Sequence, residues 1–147
     1  MMRKVMSGWW LVALIMAMSV SVLAAENERF ERSLIILTSD SLETRGMAMV
    51  LSNALQEQGQ ELHFLLCDSA GELAVEAHQS PELAPRGMKP EQLLQRLMAN
   101  GAGVEVCALF LPNSEYTEKD LLEGVTTAQP PAVAEMMADP KVRVFSF

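Results

Sequence analysis

Two cysteines, Cys67 and Cys107, are the residues of this chain best suited to covalent chemistry. A thiolate can act as a nucleophile, a redox centre or a sulfur carrier, and its reactivity follows its ionisation and exposure. Cys107 lies in Gly103-Val-Glu-Val-Cys-Ala-Leu-Phe-Leu-Pro-Asn113, a short β-rich run passing into a loop. In open α/β sheets, ligands gather outside the carboxyl ends of the strands, so a thiol at such a transition is the candidate nucleophile. Cys67 ends a second apolar run, Glu61-Leu-His-Phe-Leu-Leu-Cys67, and is the only intrachain partner for a disulfide. Cysteines pair in an oxidising compartment when their α-carbons come within about 7 Å, a distance that adjacent strand ends allow. Three states are therefore open: a structural disulfide, a reversible redox pair, or two buried thiols. No arginine lies near Cys107 in the sequence, and the nearby Glu115 and Glu118 have the wrong sign to favour a thiolate.

Other polar residues are placed to line the same crevice. Ser39, Asp40 and Ser41 follow one strand-like run and Asp68 follows the next, so either aspartate could accept a proton there. Each also suits a turn or a helix cap. His63 falls inside a strand and His78 at a helix end, with no carboxylate or cysteine at short ligand spacing, so no metal site and no cofactor are expected. The methionines outside the leader follow helical stripes rather than a Met-x-x-Met pattern, as core residues do. No base and oxyanion donors stand at fixed spacing beside Cys107, so a complete catalytic set is not in view.

These residues depend on a framework that begins after a leader. Residues 1–25 read as a signal peptide: Arg3 and Lys4, an apolar run from Trp9 to Leu23, and a small-residue site at Ala24 and Ala25 before the polar Glu26-Asn-Glu-Arg29. Retained, the run would be a short membrane anchor; cleaved, it leaves no stable span and a periplasmic or otherwise exported protein. The chain carries a formal charge of −8, and the leader removes two basic residues and no acidic ones. Such an acidic surface repels phosphate backbones, which excludes nucleic acid as a partner class. Residues 26–147 are of a size for one domain.

Ser33-Leu-Ile-Ile-Leu-Thr38 is a continuous apolar run, the pattern of a strand buried on both faces of a parallel sheet. Asp40 and Glu43 stand at capping-box spacing ahead of a helix. Its apolar stripe is expected at Met47, Val50, Leu51, Ala54 and Leu55, with Ser52, Asn53, Gln56 and Glu57 facing water and Gly59 ending it. Glu61–Cys67 is the second strand, Gly71–His78 a short helix, and Gln79–Lys89 an irregular loop able to cover a site. Pro90 opens a helix with Leu93, Leu94, Leu97 and Met98 buried, and Val104–Leu109 is the third strand. A short helix from Thr117 to Glu123, a small strand over Gly124–Thr127, a helix from Pro130-Pro131 and a terminal strand Val142–Phe147 complete the chain. This order is that of a three-layer α/β/α domain.

Several stretches together resemble the DsrE/DsrF-like family: Gly46-Met-Ala-Met-Val-Leu-Ser-Asn-Ala-Leu55, the Gly103-Val-Glu-Val strand with its cysteine, Thr117-Glu-Lys-Asp-Leu-Leu-Glu-Gly-Val125, Pro130-Pro-Ala-Val-Ala-Glu-Met-Met137 and the terminal Val144-Phe-Ser-Phe147. The resemblance implies an α/β/α fold on a mainly parallel five-stranded sheet, assembled as a trimer or hexamer. It also implies sulfur relay through a cysteine persulfide exchanged with a donor or acceptor protein, with Cys107 in the matching position. The competing expectation is a non-catalytic oligomeric binding module in which both cysteines are structural.

Overall fold

The computed structural model describes residues 30–147, so the expected signal segment lies outside the described residues. Five parallel strands form one sheet in the order β4-β3-β2-β1-β5. They are β1 Arg32–Leu37, β2 Glu61–Leu66, β3 Gly103–Val106, β4 Thr126–Thr127 and β5 Val142–Ser146. Three α-helices cover the sheet: α1 Leu42–Glu57, α2 Pro90–Ala99 and α3 Pro130–Ala138. The larger core lies between the sheet and α1 and α2, where Met49, Leu94 and Leu97 meet Ile35, Phe64 and Val106. A smaller core lies on the opposite face, where Val133 of α3 meets Leu34, Leu65, Ala128 and Val142. This is the three-layer parallel α/β arrangement expected from the sequence.

The apolar character of β1 has the expected cause, since Leu34, Ile35 and Leu37 are all buried in a strand flanked on both sides. Pro90 opens α2, and the Lys89 amide donates to the Gln92 side chain at 3.1 Å. Gly59 follows α1 at φ +86°, the left-handed conformation that lets the chain turn into β2.

α1 is turned the other way from its expected stripe. Arg45, Gly46, Ala48, Met49 and Ser52 are buried, whereas Met47 and Val50 are each 54% exposed and Leu51 46%. Small residues let α1 sit close to its neighbours, and a side chain at Gly46 would run into Leu83. The Gln56 side chain, expected in water, instead donates to the carbonyls of Leu97 and Asn100 at 3.2 Å each and ties α1 to the end of α2.

The N-cap of α1 is Ser41 rather than Asp40. Its hydroxyl accepts from the Thr44 amide at 3.3 Å. The short helix expected over Gly71–His78 lies earlier, as a 3-10 segment Asp68–Ala74. That expected over Thr117–Glu123 is one 3-10 turn, Glu118–Asp120, closed by the Thr117 amide and hydroxyl donating to Asp120 at 2.7 Å. Leu121 then bridges to Val75, which holds the chain extended and ends the turn.

Candidate functional site

The two cysteines meet because of strand register. β2 and β3 pair through Phe64–Val104, Leu65–Glu105 and Leu66–Val106, and Cys67 and Cys107 each follow the last pair by one residue. The Cys107 amide donates to the Leu66 carbonyl at 2.8 Å and the Cys67 amide to the Leu37 carbonyl at 2.9 Å, so both backbones stay fixed to the sheet edge. Both residues are free thiols and partly buried. The Cys67 thiol is pushed up to about 12, first by burial, then by its interaction with the neighbouring Cys107, and last by the charge of Asp68. Cys67 therefore keeps its S–H at neutral pH, available to donate toward the sulfur of Cys107.

Both cysteines line one cavity of about 770 Å³ at the carboxyl edge of the sheet. Leu65 forms part of its floor, and Asp68, Ser69 and Glu72 of the 3-10 segment form one side. The turn from Ala108 to Phe110, with Asn113, Ser114 and Tyr116, forms another. Ala128 and α3, through Pro130, Val133, Ala134 and Met137, close the wall. Phe110 and Tyr116 are stacked with ring centroids 6.0 Å apart. Phe110 lies directly over Gly71, where a side chain would collide with the ring. Gly71 is thus required by close approach rather than by a turn.

Asp68 adopts φ +50°, a left-handed conformation that aspartate tolerates better than most residues. The sharp bend it makes ends β2 immediately after Cys67 and starts the segment that brings Glu72 to the cavity. Behind that segment lies Arg45, 6% exposed. Its guanidinium donates to the Ser39 carbonyl at 2.8 Å and the Ser69 carbonyl at 2.6 Å, with Glu72 at 3.7 Å. Arg45 ties the β1–α1 loop to the edge of the site but does not line the cavity, whose only charged lining residues among the described residues are Asp68 and Glu72.

Of the residues singled out from the sequence, Cys67, Cys107 and Asp68 come together in this cavity. Ser39, Asp40 and Ser41 are not among its lining residues. Ser41 is occupied in capping α1, the carbonyl of Ser39 is held by Arg45, and Asp40 is exposed. The Gln79–Lys89 loop does not cover the site either; it packs toward α1, with Leu83 against Gly46.

Sequence reasoning missed the aromatic pair, the α3 wall and Arg45. Two signals pointed to them. Pro130-Pro131 starts a helix directly beyond a strand, at the edge where ligands gather, and Arg45 places a cation in the first turn of a helix, where the dipole disfavours it unless carbonyls need it.

His63 pairs with Glu105 at 2.7 Å across β2 and β3. His78 sits 3.1 Å from the Ser80 hydroxyl and 3.9 Å from Glu72. Among the described residues, no group of three or more His, Cys, Asp or Glu side chains is arranged to hold a metal ion, and no helix is long and apolar enough to cross a membrane.

No protein-family model and no curated protein sequence matches the chain. Solved structures do. The YchN protein from E. coli superposes with a TM-score of 0.59 at 20% identity, covering 78% of this chain and 98% of its own. MTH1491, a protein of unknown function from Methanobacterium thermoautotrophicum, superposes with a TM-score of 0.59 at 13% identity, covering 79% of this chain and 98% of its own. At such identities the likeness is one of fold, and it agrees with the five-stranded parallel α/β arrangement of this chain.

Proposed function

We propose that this is an exported, DsrE-like sulfur-handling or thiol-redox protein that acts through Cys107. The observation that carries this reading is the placement of two free cysteines at adjacent strand ends in one large cavity, with Cys67 kept protonated beside Cys107. Cys107 is the nucleophile or sulfur carrier. The S–H of Cys67 supplies the stabilising contact for a thiolate or persulfide anion that no arginine supplies among the lining residues. A partner protein delivers or receives the sulfur, and the leader directs the chain to the periplasm.

The protein also acts as a homo-oligomer in this reading. Met47, Val50 and Leu51 form an exposed apolar stripe along α1, which an interface between copies would cover. The same stripe favours the alternative of an oligomeric binding module, so the decisive test lies at the thiol. After incubation with a persulfide donor, intact mass spectrometry should show the gain of one sulfur on the wild type and on Cys67→Ser, and none on Cys107→Ser. Native protein that gains no sulfur and alkylates at Cys107 only after unfolding would leave the binding module as the better reading.

A further inference from the structure

The cavity is much larger than a single sulfur atom needs. At about 770 Å³ it falls within the range of pockets that bury drug-sized molecules. Its walls are mainly apolar, from Leu65, Phe110, Tyr116, Val133 and Met137, and its rim carries Leu109, 72% exposed. Among the described residues its only charged lining residues are Asp68 and Glu72, both negative. The helix start at its wall offers an anion little, because α3 opens with Pro130-Pro131 and neither has an N–H to donate. A sulfur oxyanion entering this space would shed part of its water, find no cation among the described lining residues, and face Asp68 together with Glu72, whose charge Arg45 offsets only from behind the wall.

We propose that the substrates of this site are uncharged organic disulfides or polysulfanes bearing apolar groups, and that the cavity discriminates against anionic sulfur compounds. This rests on the nucleophilic Cys107 proposed above. The apolar group lies against the aromatic and α3 walls, with a sulfur of the S–S bond at Cys107. Cys107 gives up its proton to solvent and its thiolate attacks that sulfur. A new bond forms between Cys107 Sγ and the R–S unit, the original S–S bond breaks, and the departing thiolate takes up a proton. One thiol and one disulfide thus yield one thiol and one mixed disulfide, with no net oxidation.

Two chromogenic disulfides test this on the purified protein: uncharged 2,2′-dithiodipyridine and the dianion 5,5′-dithiobis(2-nitrobenzoate). Each rate is divided by the rate of the same probe with 2-mercaptoethanol, and Cys107→Ser assigns the signal. The normalised rate for the uncharged probe should exceed that for the dianion by about tenfold or more. The ratio should shrink with added salt, and also in Asp68→Asn/Glu72→Gln, because carboxylates help to set it. Equal normalised rates, or a faster dianion, overturn the selectivity and leave the nucleophile standing. A folded protein whose Cys107 reacts with neither probe overturns both.

Discussion

Replacing Cys67 with alanine isolates what the second thiol does for the first. The two residues each follow the Leu66–Val106 pair by one position, on strands separated by roughly 4.8 Å, and the proposed role of Cys67 is to donate its S–H to a Cys107 thiolate. A hydrogen bond to a charged group contributes about 1.5–3 kcal/mol, and an S–H is a weak donor, so the low end applies. About 1.4 kcal/mol of lost stabilisation in the attacking sulfur's transition state is a factor of about ten in rate, hence about tenfold slower alkylation of Cys107 near neutral pH. Truncation also opens space beside Cys107, which acts in the opposite direction by admitting reagent. Cys67→Ser separates the two effects, because its O–H still donates. The assay is the rate of iodoacetamide labelling at pH 7, followed by intact mass, in the two variants that keep Cys107 alone. Cys67→Ala should be the slower, with Cys67→Ser close to wild-type Cys107. A Cys67→Ala protein that labels as fast as Cys67→Ser, or faster, would refute the donor role.

Three further outcomes follow from the same geometry. The folded Cys67 thiol is raised from 9.0 to about 12, so the folded chain holds a proton that the unfolded chain releases; this contribution to stability is complete below about pH 9 and lost as pH rises toward 12, and Cys67→Ala should flatten that alkaline decline in denaturant titrations. Gly71→Ala should cost about 1–3 kcal/mol by overpacking against Phe110, and should disturb the Phe110–Tyr116 stack in near-ultraviolet circular dichroism. Arg45→Met strands the carbonyls of Ser39 and Ser69 and should cost about 3 kcal/mol in chemical denaturation, with the Asp68–Ala74 segment gaining hydrogen exchange before the strands do.

The sheet was legible because buried parallel strands leave continuous apolar runs, and Leu34–Leu37 and Phe64–Leu66 are such runs. α2 was legible for a related reason. Its buried Leu94 and Leu97 lie on a single stripe with Gln95 and Arg96 exposed opposite. α1 was not, because it is apolar on both sides: Met47, Val50 and Leu51 obey helical spacing as well as Ala48 and Met49 do, and periodicity cannot say which side meets the sheet. The larger side chains suggested the core face, while close helix packing selected the smaller ones. At the site, strand ends sufficed to bring Cys67, Asp68 and Cys107 together. The rest of the cavity depends on distant segments, Phe110 to Tyr116 and α3, whose arrival at that edge is set by crossovers that leave no local mark. Ser39 and Asp40 also follow a strand, but the Arg45 anchor and the Ser41 cap determine their surroundings.

The direction of β1 fixes where the domain can be labelled. β1 enters the sheet at Arg32, at its amino edge, and leaves at Leu37, at the edge that bears the cavity. Six residues of strand span about 20 Å. Arg32, where β1 begins, therefore stands a strand's length from the edge that bears the thiols. Phe147 is at the opposite end, bonded to Ile36 and Thr38 on the cavity edge. A label attached at Phe147 would sit at the cavity edge and report on its occupant, whereas one at Arg32 would sit at the far edge of the sheet and leave the site undisturbed.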